Sequence, residues 1–352
     1  MGKRKMSDSI LAGDNQTLDY SAVIDELQTH FSKKREFCDI LSALYFRIAD
    51  NDEIAKKFAI SKEKRVKLIK KSKAVENCGT YLEFSVNETD HSDVRLSKAY
   101  FCKDRLCPMC NWRKSLKVFA QVSKIMDAME KENEYAFIFL TLTIKNCSGL
   151  DLKETLEVLR KGYSKLLRKK ECASAFKGSF ATWEVTYNRN TDEWHPHIHS
   201  IIAVKKSYFK GREYISQARF RELWSECIKT DYLPMVNVKK VKSDENLGIS
   251  VKSAVCEVAK YAVKGSDVVM MDDLDQSTKN VIVLLDALNK KRLITMTGCF
   301  KELHKKLNLD DVEDGDLTHI NENEMRPDVK YIVLRYKWSI GVGYVEVNSD
   351  EK

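Results

Sequence analysis

Trp194-His195-Pro196-His197-Ile198-His199, followed at once by Ser200-Ile201-Ile202-Ala203-Val204, carries three of the chain's seven histidines into a strongly apolar run. β-branched residues and the run's short length predict a strand. Side chains on a strand alternate between its faces, so His197 and His199 point the same way, close enough for both imidazoles to hold one cation. On a helix the same pair would diverge. Taken alone, the pair reads better as a surface strand with incidental histidines. Its neighbours argue otherwise.

Upstream, Phe180-Ala181-Thr182-Trp183-Glu184-Val185-Thr186-Tyr187 reads as a second strand, and the polar segment 188–193 as the loop of a hairpin. With the turn centred near Thr191, Glu184 falls opposite His199 and Thr186 opposite His197, offering Glu184 as a third ligand. A slip of one residue would move the glutamate to the other face. Tyr135-Ala136-Phe137-Ile138-Phe139-Leu140-Thr141-Leu142-Thr143-Ile144 is a further buried strand, with Thr141 and Thr143 on one face.

The chain has 352 residues and 43% hydrophobic content, enough for a full core. No apolar run approaches the roughly 20 residues of a membrane helix, and the charged start Met1-Gly2-Lys3-Arg4-Lys5 lacks a signal peptide's apolar segment. A cytoplasmic protein is expected. Lys and Arg number 60 against 52 acidic residues, a net charge of +8 that suits nucleic acid and equally an ordinary surface.

Ten cysteines in such a compartment point to metal rather than disulfides. Cys102, Cys107 and Cys110 form Cys-x4-Cys-x2-Cys, and Cys78 lies upstream; four thiolates would complete tetrahedral zinc. Buried thiols or a redox Cys-x-x-Cys are the alternatives. Lys103, Arg105, Arg113, Lys114 and Lys117 surround this knuckle with only Asp104 to oppose them, and are expected to contact DNA phosphates.

Helices are expected at 20–27 and 38–46, at 113–129, and at 153–170 with Leu156, Leu159, Leu166 and Leu167 on one stripe. The basic run 61–71 suits a phosphate backbone or a solvated helix face. Ile249 to Lys264 reads as a helix with Ser253 as cap and Gly265 as stop, placing Glu257 and Tyr261 one turn apart on one side. The region after 275 adds helices at 281–290 and 300–307, an acidic segment 310–316 and two late strands, with no chemistry of its own.

A cation held by two imidazoles and a carboxylate, beside a tyrosine, suits phosphodiester transfer. Phe139-Leu140-Thr141-Leu142-Thr143, Pro196-His197-Ile198-His199 and Glu257-Val258-Ala259-Lys260-Tyr261, with the cysteine knuckle and Trp112-Arg113, resemble the motifs of the HUH endonucleases. The likeness is to the rolling-circle replication initiators of small Gram-positive plasmids in particular, and spans roughly Cys78 to Lys264.

That resemblance implies an α+β domain with an antiparallel sheet of about five strands, the histidine hairpin at its centre and the tyrosine helix over the metal face. It implies magnesium or manganese at His197, His199 and Glu184, and Tyr261 as nucleophile on one strand of the plasmid origin. Glu257 would activate water at termination; Lys260 and Lys264 would favour the phenolate and contact DNA. Host helicase and DNA polymerase are the implied partners, and a homo-oligomer is compatible. His195 is then a neighbour rather than a ligand.

The expected division is a basic helical region over 1–75, a knuckle and catalytic domain over 76–270, and an extension over 271–352. Rival readings are a zinc-containing DNA-binding regulator without nuclease activity, a hydrolase of small phosphate esters, and a relaxase or transposase. The last pair would share the chemistry.

Overall fold

The computed structural model describes residues 21–89, 93–132, 134–242, 249–260, 263, 268–320 and 329–347. The fold is α+β, built on two sheets. In chain order the elements are α1 (Ser21–Glu26), α2 (Lys33–Asp50), α3 (Asp52–Lys57), α4 (Lys62–Glu76), β1 (Tyr81–Asn87), β2 (Arg95–Ala99), α5 (Pro108–Glu132) and β3 (Tyr135–Thr143). Then come α6 (Leu152–Arg168), α7 (Lys170–Ala175), β4 (Phe176–Asn188), β5 (Glu193–Lys205), α8 (Gln217–Ile228), β6 (Val236–Lys242), β7 (Ile249–Ser250) and α9 (Val251–Ala259). Helix Leu274–Ala287, β8 (Ile294–Thr297), helix Gly298–Lys306, β9 (Tyr331–Ser339) and β10 (Gly343–Glu346) complete the described chain.

The central sheet has the order β7-β6-β3-β5-β4-β8. Its four pairings from β6 to β8 are antiparallel, and only the two-residue β7 joins in parallel at the edge. The histidine strand β5 is therefore interior, paired on both sides. Interior strands bury both faces, which is why Ile198, Ile201, Ile202, Ala203 and Val204 are all buried.

One face carries Phe139, Phe180, Ile201 and Ala203 against Val122, Ile125 and Met126 of α5, Val255 and Val258 of α9, and Phe300. The opposite face carries Ile138, Ile198 and Ile202 against Leu156, Leu159 and Tyr163 of α6 and Phe220 and Trp224 of α8. Tyr163 Oη lies 2.8 Å from Ser200 Oγ, which in turn donates to Phe180 O at 3.1 Å, so α6 is fastened to the hairpin by its polar groups as well. Gly162 lets α8 approach closely, since a Cβ there would come within 2.5 Å of Ile228.

A second antiparallel sheet, β10-β9-β1-β2, is a feature that periodicity did not reveal. Here Tyr81–Asn87 pairs along its whole length with Tyr331–Lys337, so chain from either side of the expected boundary at 270 shares one sheet. The N-terminal helices pack with it: Phe31 meets Phe84 and Tyr344 edge-on. No helix among the described residues is long and apolar enough to cross a membrane.

Two local expectations change. The 249–264 segment opens with β7 and its helix starts at Val251, capped by Ser250, whose side chain accepts from Ser253 N at 3.1 Å. The cap thus lies three residues before Ser253. The helix ends at Ala259, because Lys260 turns to φ −56°, ψ 128°. Tyr261 and Lys264, the expected nucleophile and one of the expected DNA contacts, lie outside the described residues.

Candidate metal centres

β4 and β5 form the expected hairpin, with Glu184 opposite His197 and Thr182 opposite His199. The expected register had Glu184 opposite His199. The difference is two residues, because Asn188 pairs with Glu193 and the turn is centred between Asn190 and Thr191, one position earlier than the expected pairing implied. An even shift preserves the face, so Glu184 stays with the histidines. Across the other edge, Thr141 stands opposite His199 and Thr143 opposite His197.

The three ligand atoms converge. His197 Nε2 and His199 Nε2 are 3.1 Å apart, and each is 3.3 Å from Glu184 Oε2. A triangle with such edges surrounds a cation about 2.1 Å from each atom. Both imidazoles are oriented by their other nitrogen: His199 Nδ1 meets Thr141 Oγ1 at 3.2 Å, and His197 Nδ1 meets the His195 carbonyl oxygen at 3.2 Å. Fixing Nδ1 leaves Nε2 free for a metal.

Thr182 Oγ1, buried and without a hydrogen-bond partner among the described residues, lies on this same face, as a site meant to hold a further polar group would leave it. Burial alone would raise the Glu184 carboxyl, but hydrogen bonds and charge from His197 and His199 outweigh it and hold it well below the usual range. His195 is not a member of this cluster, and its Nδ1 lies 2.8 Å from Asn146 Oδ1. Three protein ligands leave coordination positions for water or substrate, the open arrangement of a catalytic site.

The four cysteines also converge. Cys78 and Cys107 Sγ are 3.5 Å from one another, Cys78 and Cys110 3.5 Å, and Cys102 and Cys110 3.6 Å. These are far beyond a disulfide and close to the roughly 3.8 Å edge of a tetrahedron of thiolates about 2.3 Å from zinc. Backbone N–H groups of Cys102 and Lys103 donate to Cys78 Sγ and Cys110 Sγ at 3.4 and 3.2 Å. Without a cation the sulfurs cannot all be thiolates. Burial raises Cys107 well above the ordinary thiol range, hydrogen bonding chiefly with Cys102 raises Cys78, and Cys102, accepting chiefly from Cys107, falls below it.

Both clusters could hold a metal ion. Two contributors to the cysteine cluster escaped sequence reading. Cys38 of α2 brings a fifth sulfur within 3.5 Å of Cys107. Arg35, 1% exposed, donates from Nη1 to the carbonyls of Val75 and Cys78 at 2.9 Å and fixes the Cys78 segment. Neither carries a local signal, since both are ordinary members of an amphipathic helix.

The basic residues of the knuckle need correction. Arg113, Lys114 and Lys117 are buried, so they do not form the expected phosphate-facing surface. Arg113 donates to Leu317 O and Thr318 O at 2.8 Å, and burial lowers its pKa to about 10. Lys117 donates to Asp310 Oδ2 at 2.6 Å and to Asp316 O at 2.9 Å. Lys103 reaches Asp314 O at 2.7 Å, and Arg105 reaches Leu288 O at 3.1 Å and also Lys291 O. The acidic segment 310–316 has folded over the cations that seemed free in the sequence. Glu257 is half-buried and accepts from the exposed Lys260 at 2.5 Å.

The fold and the strand-borne triad define an α+β protein with one open and one closed metal-capable cluster. The chain belongs to the replication protein family, whose model matches residues 93–345. It is 36% identical over 289 residues to a "Protein rep" of a Bacillus species, covering 79% of this chain and 92% of that one. It is 39% identical over 266 residues to a "Protein rep" of Streptococcus pneumoniae serotype 2, covering 74% and 80%. A "Replication protein" of Staphylococcus aureus is 34% identical over 227 residues, covering 64% and 94%. No solved structure matches the chain. Membership of this family is consistent with initiation of plasmid replication.

Proposed function

We propose that the chain initiates rolling-circle plasmid replication by nicking one strand of the double-strand origin. The observation that carries this reading is the convergence of Glu184 Oε2 with His197 Nε2 and His199 Nε2 on an interior strand pair. A divalent cation held there, magnesium or manganese, would supply Lewis acidity at the scissile phosphate.

The chain's own residues do the rest. Tyr261 Oη attacks phosphorus in line; the new bond is Oη–P, the P–O3′ bond breaks, and the leaving oxygen takes a proton to become a free 3′ hydroxyl. Host polymerase extends that hydroxyl and a host helicase opens the duplex. Lys260 and Lys264 lie beside Tyr261 in sequence and would favour its phenolate. Glu257 serves as general base for water at termination, which releases the chain from the DNA. The four cysteines hold zinc, a structural role that fits their closed, four-sulfur arrangement.

Incubation with supercoiled plasmid bearing the cognate origin and manganese tests the reading. Nicked circles and a protein–DNA adduct are expected; binding without either would favour the rival regulator. Tyr261→Phe should abolish nicking and leave binding intact, whereas unchanged nicking would remove the nucleophile. Glu257→Ala should nick normally and fail to release closed circles.

A further inference from the structure

Beyond the metal triad, the row of paired residues Glu184, His197 and Thr143 continues to Met235, whose carbonyl accepts from Thr143 N at 3.2 Å and Thr143 Oγ1 at 2.9 Å. Met235 therefore stands two strand spacings, roughly 10 Å, from His197. Here the sheet's flank is uncovered. Met235 is 74% and Leu233 56% exposed, and together with Val236 of β6 and Gln217 and Arg221 of α8 they line a cavity of about 400 Å³.

Arg221 is the one charged residue among those that line this cavity. Arg221 donates to Pro234 O at 3.1 Å and Leu233 O at 3.4 Å, and has no carboxylate partner among the described residues. Lys145 Nζ lies 4.2 Å from the centre of the Tyr232 ring, and Tyr232 Oη accepts from Lys145 N at 2.9 Å. Lys239 is exposed on the triad's face of β6. Gln217 Oε1 accepts from Val238 N at 3.4 Å, which leaves its Nε2 as a donor. Apolar walls, one amide donor and an unneutralised guanidinium are what a nucleobase with its attached phosphate requires.

We propose that this cavity seats one nucleotide of the single-stranded substrate next to the phosphate held at the triad. The base lies between Leu233 and Met235, Gln217 Nε2 donates to its edge, and Arg221 faces the phosphate. This rests on the nicking reading for its substrate, but its own claim is single-strand binding at a defined place. Trp224 Nε1, donating to Thr143 O at 2.8 Å, locks α8 against the end of β3 and so fixes the distance between cavity and triad.

The test uses the full chain carrying His197→Ala and a fluorescein-labelled single-stranded 20-mer of mixed sequence, with the matching duplex as a second probe, read by anisotropy. Met235→Glu and Leu233→Glu change exposed side chains and should each weaken single-strand binding about tenfold or more, with little effect on the duplex. Arg221→Ala should do the same, and Gln217→Ala should relax preference for one base in oligonucleotides varied singly. Unchanged single-strand affinity in both glutamate variants overturns the proposal, as does an equal loss for duplex. The two readings separate cleanly. Nicking is read separately, in chains with His197 intact: a chain that never nicks the origin while the variants above lose single-strand binding defeats the nicking reading alone, and a chain that nicks the origin while the variants bind single strands unchanged defeats the cavity alone.

Discussion

The histidine site draws its three ligands from a single hairpin, whereas the cysteine site gathers Cys78 after α4, Cys102 and Cys107 from a loop, and Cys110 from the first turn of α5. The first is local and offers three ligand atoms, with the neighbouring flank open. The second is non-local and offers four sulfurs, and Arg35 and Cys38 from α2 brace it. A closed site that ties distant segments adds to folding free energy, and an open site on a preformed sheet does not need to. The difference predicts that loss of metal would unfold one region and merely silence the other.

Three experiments can break or sharpen that contrast. The largest effect is expected for Cys107→Ser, which should abolish one equivalent of tightly bound metal and destabilise the chain by about 4 kcal/mol or more, read by thermal denaturation and metal analysis. Unchanged metal content and midpoint would remove the structural role. Next, His199→Ala should lower origin nicking about 100-fold or more while costing less than about 2 kcal/mol of stability. A loss of stability matching that of Cys107→Ser would make both sites structural and erase the contrast.

The smallest effect concerns the acidic segment that covers the knuckle helix. Asp310→Asn leaves the buried Lys117 without its carboxylate and should cost about 1 to 2 kcal/mol, less than for a fully buried pair because Asp310 is half exposed. Lys117→Met added to it should recover most of that loss in the same denaturation assay. Burial would raise Asp310, but the hydrogen bond from Lys117 outweighs it and lowers its pKa. A folded-state pKa below the unfolded value gives stability that is complete above about pH 4 and lost as pH falls through the folded value. The wild type should therefore lose stability below about pH 4 more steeply than Asp310→Asn; parallel curves would sink the latch.

Legibility in the sequence followed the range of the interactions. The histidine strand could be read because alternation is a two-residue rule, and the face of Glu184 survived a misplaced turn because the error in register was even. Cap and end of α9 were misread by a few residues, since Ser250 and Ser253 are equivalent as capping residue types and only the chain's direction before the helix distinguishes them. The second sheet escaped as a sheet: two late strands were expected, but nothing along the chain pairs Tyr331–Ser339 with the distant Tyr81–Asn87.

The basic knuckle shows the limit most plainly. Lys103, Arg105, Arg113, Lys114 and Lys117 form a cationic cluster in one dimension, and charge counting along the chain assigns them to solvent and phosphate. In three dimensions residues 310–318 supply carboxylates and carbonyls to three of them, Lys103, Arg113 and Lys117, and backbone carbonyls at 288 and 291 receive Arg105. By itself the sequence determined the strand-borne His197 and His199, their carboxylate neighbour and the cysteine spacing, because each follows from local periodicity and the ligand chemistry of its side chains. Tertiary structure alone decided that Cys78 completes the sulfur cluster, that Cys38 and Arg35 support it, and that Arg113, Lys114 and Lys117 of the knuckle face inward. Those outcomes depend on which distant segments pack together, and no pattern along the chain encodes a contact between two segments that share only a core.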